Sequence, residues 1–172
     1  MSETAIVMTP ELIPAGSSMA RVASAAADAG LSIRILKMVQ STRTAQEAAD
    51  AAGCDVSQIV KSLVFENSAT GQLNLMLVSG THNADMDYIS EHYNLSFTRC
   101  DARRVRDETG FAIGGVAPVG HLAPITVYMD RTLLDHSEVW AAAGRPDSVF
   151  RVDPKALAVA IEAEIIDVRA PG

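Results

Sequence analysis

Two apolar runs separated by a short polar stretch constrain this chain more than any other feature. Ile59–Glu66 and Leu73–Ser79 are rich in Val and Leu and flank Asn67-Ser-Ala-Thr-Gly71. Their length suits strands rather than helices, and the intervening Asn, Ser, Thr and Gly are turn formers, so the pair reads as a β-hairpin. Around it, strand and helix patterns interleave without regular alternation. The expected fold is therefore α+β, a single domain in which helices surround a mixed, curved sheet.

Met1 to Ser17 reads as a flexible arm, jointed at Gly16-Ser17-Ser18, and 18–172 as the folded domain. Met19, Val22, Ala23 and Ala26 share one face of a helix that Gly30 would stop. Leu31 to Val39 begins with the alternation of a half-buried strand. Thr44 and Glu47 form a capping-box pattern that opens a second helix, which closes at Gly53. Helical spacing returns in Met86, Ile89 and Tyr93, and again in Ala102 and Val105; Phe111 to His121 reads as a loop and Ile125 to Asp130 as a strand. Arg151 to Asp153 leads through Pro154 into a helix over Lys155 to Ala163, and Ile165 to Val168 ends the pattern as a short strand.

With 172 residues, 48% of them apolar, the chain can build one core but not two. A net charge of −7 and a pI near 5.0 argue against broad electrostatic capture of a nucleic-acid backbone. Binding of terminal nucleotides in a cleft remains compatible, because local charge then governs. Arg99, Arg103, Arg104 and Arg106 form a local basic group diluted by Asp101, Asp107 and Glu108, either an RNA contact or a solvated helix face. Cys54 and Cys100 read as reduced cytosolic thiols, and the acidic, proline-interrupted N-terminus does not resemble an export signal. No apolar stretch reaches the roughly 20 residues that a bilayer requires. A cytoplasmic protein with neither membrane nor DNA as partner is expected.

Lys61 is the one cation inside the first apolar run; facing inward it would need a partner such as an anionic ligand or carbonyl dipole, and facing outward it would be solvated. Thr109 to His121 holds four glycines and Pro118. Glycine lets a ligand approach main-chain N–H groups, which can stabilise the oxyanion formed when an ester is attacked, although a tight corner explains the same residues. The stretch is neither a dinucleotide fingerprint nor a P-loop. Ser79-Gly80-Thr81-His82-Asn83-Ala84-Asp85 can cap the following helix or wall a pocket. His82, His92, His121 and His136 lack metal-ligand spacing and read as ordinary surface or core residues, with His121 set apart by its glycine neighbours. With no serine elbow and no nucleophilic cysteine context, a covalent enzyme intermediate is not expected, nor is a metal or cofactor.

Taken in order, several of these segments resemble the YbaK family, which includes the editing domain inserted in many bacterial prolyl-tRNA synthetases. The carriers are Ser41-Thr-Arg-Thr-Ala-Gln-Glu-Ala-Ala, Gln58-Ile-Val-Lys61-Ser-Leu-Val-Phe, Ser79-Gly80 with Asp85, Thr109-Gly110, and Gly114-Gly-Val-Ala-Pro118-Val-Gly120-His121. Val127-Tyr-Met-Asp130 and Ala143-Gly144-Arg-Pro complete a resemblance that runs from about Ser41 to Val168. It implies a mixed curved sheet with surrounding helices, and hydrolysis of the ester joining a mischarged amino acid to the terminal adenosine of a transfer RNA, of the proline type or a related one. The implied catalytic set is Lys61, Gly114, Gly115, Pro118 and Gly120; Ser62, Gly80, Thr81, Asp85, Gly110, His121 and Gly144 would contact substrate. Where the family commonly has Asp after the glycine matching Gly80, this chain has Thr81. The implied partners are the aminoacyl-tRNA acceptor end and a synthetase. The alternatives are a non-catalytic aminoacyl-tRNA- or nucleotide-binding module acting with a synthetase, and a different small-ester or amide hydrolase.

Overall fold

The hairpin forms as expected, and it organises the larger of two sheets. The computed structural model describes residues 5–40 and 42–171; the first four residues of the expected arm, Ser41 and Gly172 lie outside them. In chain order the elements are β1 (Ala5–Val7), α1 (Ser18–Asp28), β2 (Ile35–Met38), α2 (Ala45–Ala52), β3 (Val60–Asn67), β4 (Leu73–Ser79), α3 (Met86–Tyr93), β5 (Phe97–Arg99) and α4 (Ala102–Thr109). Then follow β6 (Thr126–Asp130), β7 (Val139–Ala142), β8 (Ser148–Val152), α5 (Pro154–Ala160) and β9 (Glu164–Ile166).

Strands β3 and β4 pair antiparallel from Val60↔Ser79 to Glu66↔Leu73. On its other side β4 runs parallel to β6, so the larger sheet is mixed, in the order β5-β3-β4-β6-β9. Every residue of β4 is buried. Leu75 and Leu77 face the main core, while Met76 and Val78 face a second cluster built with Ile89 of α3. A strand covered on both faces gains nothing from alternation, which is why it reads as a continuous apolar run.

The α+β class holds, but the strands divide between two sheets where one was expected. The smaller sheet has the order β1-β2-β8-β7, and all its pairs are antiparallel. Among the described residues a bridge between Ile59 and Trp140 links the two sheets. Strands β1, β5, β7 and β8 were not anticipated: the first three have only three or four residues and carry too little periodicity to register, and β8, Ser148–Val152, was read only as the lead into the helix after Pro154. The segment expected as a loose arm includes β1, which pairs Ala5 with Met38, and Met8 N–H donates to the Ile35 carbonyl (2.8 Å).

The main core lies between the sheets and takes residues from α1, α5 and both sheets. Helix α2 opens with the capping box of Thr44 and Glu47 and ends at Gly53, as its sequence predicts. Its buried Ala48, Ala49 and Ala51 let the helix lie close on Met38, Ile59, Trp140 and Val149.

Helix α1 pins the glycine-rich loop at both ends. The Arg21 guanidinium lies 4.9 Å from the Phe111 ring centre and donates to the carbonyls of Gly110 (2.5 Å) and Gly120 (3.4 Å). His121 packs edge-on against Phe111, and its Nε2 lies 2.7 Å from the Ala117 carbonyl, so Nε2 carries the proton. Burial lowers the His121 pKa, the bond to Ala117 opposes that shift, and the Arg21 charge adds to it.

Two outcomes follow from this packing. Because the folded-state pKa of His121 lies below its ordinary value, the corresponding stability is present above about pH 6.5 and is lost as the pH falls through the lowered value. Melting temperature should therefore fall more steeply between about pH 7 and about pH 5 for the natural protein than for His121→Gln; parallel curves would remove His121 from the acid response. The Cys54 thiol is pushed up to about 11, chiefly by burial and then by Asp55 and Glu138. Alkylation of Cys54 at about pH 8 should be much slower in the folded protein than in denaturant, as mass spectrometry of the peptide would report.

Candidate functional site

Strand β3 leaves the inter-sheet bridge carrying Lys61 and Ser62, which the two-residue period sends to opposite faces. A cavity of about 270 Å³ lies alongside. Its walls are the start of α2 with the preceding Thr42 and Arg43, the loop residues Ile113, Gly114 and Val116, and Trp140 to Ala142 with Pro146 and Ser148. Lys61 and Ser62 both border it.

The Ser62 hydroxyl is buried and has no hydrogen-bond partner among the described residues. An unpaired buried hydroxyl costs about 1–3 kcal/mol, so this group is suited to a ligand that supplies the missing bond. Ser62, Leu63, Ile113 and Val116 also border a second hollow of about 540 Å³, which reaches Arg99 and Asp101. Ile113 is 61% exposed where the two hollows meet.

Lys61 is half-buried, and its ammonium donates to the His82 carbonyl. Burial lowers its pKa, and the Asp130 carboxylate partly offsets that effect. Asp130 is 1% exposed at the end of β6. Its Oδ2 accepts from Ser79 N–H (3.0 Å) and lies 3.0 Å from His82 Nδ1. Its Oδ1 accepts from the N–H (3.0 Å) and hydroxyl (2.8 Å) of Thr132. With a carboxylate as its neighbour, His82 Nδ1 is assigned the proton.

Close backbone approaches join the walls. A Cβ on Gly115 would meet the Arg145 backbone at 2.9 Å, so glycine is required where the two loops touch. Gly144 has φ +99° and lies against the Ser18 backbone, and the Ser18 hydroxyl donates to its carbonyl (2.8 Å). Two residues on, the Pro146 carbonyl accepts from the Thr42 hydroxyl (2.5 Å), joining this corner to the approach to α2.

The structure thus brings Lys61, Ser62 and Gly114 to one cavity, with Gly115 and Gly144 shaping its wall. Pro118, Gly120 and His121 border a different hollow, beside Ala25 and Ala29 at the end of α1 and Ala160 of α5. Gly110 ends α4, and its carbonyl is occupied by Arg21. Gly80 packs against Val56 and Ala45, the Thr81 hydroxyl lies 3.3 Å from that of Ser79, and Asp85 caps α3 by accepting from Tyr88 N–H (3.0 Å). In the arginine group, Arg104 is tied to Glu66, Glu108 and the Gly71 carbonyl; Arg99 borders the second hollow, and Arg103 and Arg106 are exposed. Sequence reasoning missed Thr42, Trp140 and Ser148 as wall residues, and it passed over the His82–Asp130 pair. The available signal was a carboxylate ending the apolar run of β6. Among the described residues, no group of three or more His, Cys, Asp or Glu side chains is placed to hold a metal ion.

Comparison with known proteins agrees with this architecture. A crystal structure of a candidate trans-editing enzyme for prolyl tRNA synthetase is 40% identical, with a TM-score of 0.83 over 92% of this chain and 100% of that one. The hypothetical protein APE2540 is 30% identical, with a TM-score of 0.77 over 86% of this chain and 97% of that one. The uncharacterized protein YwhH of Bacillus subtilis (strain 168) is 30% identical over 117 residues, 68% of this chain and 74% of that protein. Residues 39–159 match the family described as the aminoacyl-tRNA editing domain. The chain belongs to the aminoacyl-tRNA editing domain family.

Proposed function

We propose that this protein acts in trans to hydrolyse the ester linking a wrongly attached amino acid to transfer RNA. The observation that carries this reading is that Lys61, Ser62 and Gly114 all border one small cavity. At about 270 Å³ it lies just below the roughly 300–1,000 Å³ of pockets for drug-sized ligands, which suits an aminoacyl group better than a whole nucleotide. The likeness to a candidate trans-editing enzyme for prolyl tRNA synthetase supports a tRNA of the proline type or a related one.

An aminoacyl ester is already activated, so the protein has chiefly to hold it, admit water and stabilise the oxyanion. Gly115 N–H is committed to the Ala112 carbonyl (2.9 Å) and is withdrawn from that role. Gly114 and Val116 border the cavity, and their amides have no acceptor among the described residues, so these are the donors assigned to the oxyanion. Each such donor is worth about 3 kcal/mol of transition-state stabilisation. Lys61 anchors the terminal nucleotide or the ester carbonyl, and Ser62 supplies the hydrogen bond its own surroundings leave unmade. The attacking water is activated by the neighbouring ribose hydroxyl or the amino group of the substrate. Selection among amino acids then rests on cavity size, worth about 1–3 kcal/mol per methylene.

A panel of mischarged tRNAs incubated with the pure protein tests this reading. Ester loss on a subset is expected, and Lys61→Ala should slow it by at least about 100-fold without altering the fold. Ser62→Ala should cost about tenfold in kcat/KM, one hydrogen bond's worth. Full turnover by Lys61→Ala would exclude Lys61 from the mechanism. Binding of the charged acceptor end without ester loss would identify a binding module instead, and turnover of small esters with inert tRNA a different hydrolase.

A further inference from the structure

The Lys61 ammonium is held by a backbone carbonyl rather than by a carboxylate, so whatever fixes that carbonyl fixes the cation. The carbonyl belongs to His82, in the turn that follows β4. That turn is tied down at several points: Gly80 N–H donates to Ile59 O (2.7 Å), His82 N–H to Ser79 O (2.9 Å), and the Ser79 hydroxyl to Ser57 O (2.8 Å). Further ties run to Asp130, from Ser79 N–H and from the His82 imidazole, whose Nδ1 also lies 3.3 Å from the Thr132 hydroxyl.

A buried carboxylate is costly unless its oxygens are satisfied. Asp130 meets this condition with the groups of Ser79, Thr132 and His82, and no Lys or Arg lies at ion-pair distance from it among the described residues. Two of its contacts, from Thr132, cap the helical turn that follows β6 and would serve any fold of this shape. The imidazole contact is different in kind. It ties a residue 48 positions away, whose own carbonyl receives the Lys61 ammonium.

We propose that Asp130 and His82 are positioning residues for Lys61, the buried carboxylate holding the imidazole and, through it, the carbonyl on which the ammonium rests. This rests on Lys61 being the substrate anchor, and it adds the device that keeps a half-buried cation aimed. The carboxylate contributes its negative charge as well as the geometry. The other titratable groups bordering the hollow beside His82 are Asp167 and Arg169 of the C-terminal segment, and Asp167 is paired with Arg131 (2.9 Å).

The lysines of the chain are Lys37, Lys61 and Lys155, so 13C labelling of lysine Cε yields few signals, and Lys61→Arg assigns the one of interest. In His82→Ala the Lys61 signal should shift toward those of the solvated lysines. His82→Asn, whose amide N–H can occupy the place of Nδ1–H, should restore it. In Asp130→Asn the Lys61 titration midpoint should move down, because the favourable charge is gone. With a mischarged tRNA, His82→Ala should lower kcat about tenfold, as expected for loss of one hydrogen bond, with His82→Asn recovering most of it. An unchanged Lys61 signal and titration in a folded His82→Ala protein would overturn the proposal, whether or not Asp130→Asn folds. The lysine measurement needs no tRNA, so a natural protein inactive on every charged tRNA would defeat the editing reading and leave the positioning result to stand or fall separately.

Discussion

The bridge that joins the two sheets among the described residues determines where the cavity beside Lys61 lies. Ile59 bridges to Trp140, and beyond that pair β3 continues into the larger sheet while β7 pairs with β8 in the smaller. The backbone on either side of the bridge borders the cavity, and α2 lies on the bridge residues themselves. The cavity is therefore a consequence of how two twisted sheets part, and side chains at the parting point are held by strands rather than by mobile loops.

What strands cannot supply comes from two loops, and both are disciplined by the first helix. Ser18 holds the corner at Gly144, and Arg21 holds the carbonyls of Gly110 and Gly120. The loops also touch one another where Gly115 meets Arg145. An amide can stabilise developing charge only if it is already in place, so fastening of this kind is what the role proposed for the loop N–H groups requires. The same fastening separates the glycine-rich stretch into two parts, with Gly114 and Val116 bordering the cavity and Pro118 to His121 bordering the hollow beside α1 and α5.

Charge in the molecule is arranged locally. A net charge of −7 gives no general attraction for RNA, and the basic group on α4 is partly consumed, because Arg104 is bound to Glu66 and Glu108. The cation bordering the cavity on β3 is Lys61, with Arg43 at the opposite wall. Recognition confined to the end of an acceptor strand is consistent with such a surface, since only a few phosphates then need a partner.

Much of this was legible in the residues alone. The hairpin, the capped α2, the irregular loop after α4 and the family resemblance are all local statements, and local chemistry decides them: turn formers between apolar runs, a Thr–Glu cap, glycines where regular structure stops. The division into two sheets was not legible, because β1, β5 and β7 are too short to carry a period and β8 went unread as a strand. Nor was the partner of Lys61. Periodicity reports which face of a strand is apolar, but not which distant segment covers it. That His82 would offer its carbonyl, that Asp130 would sit behind it, and that Gly114 would reach the cavity while Gly120 turned away were settled only when segments far apart in the chain packed together.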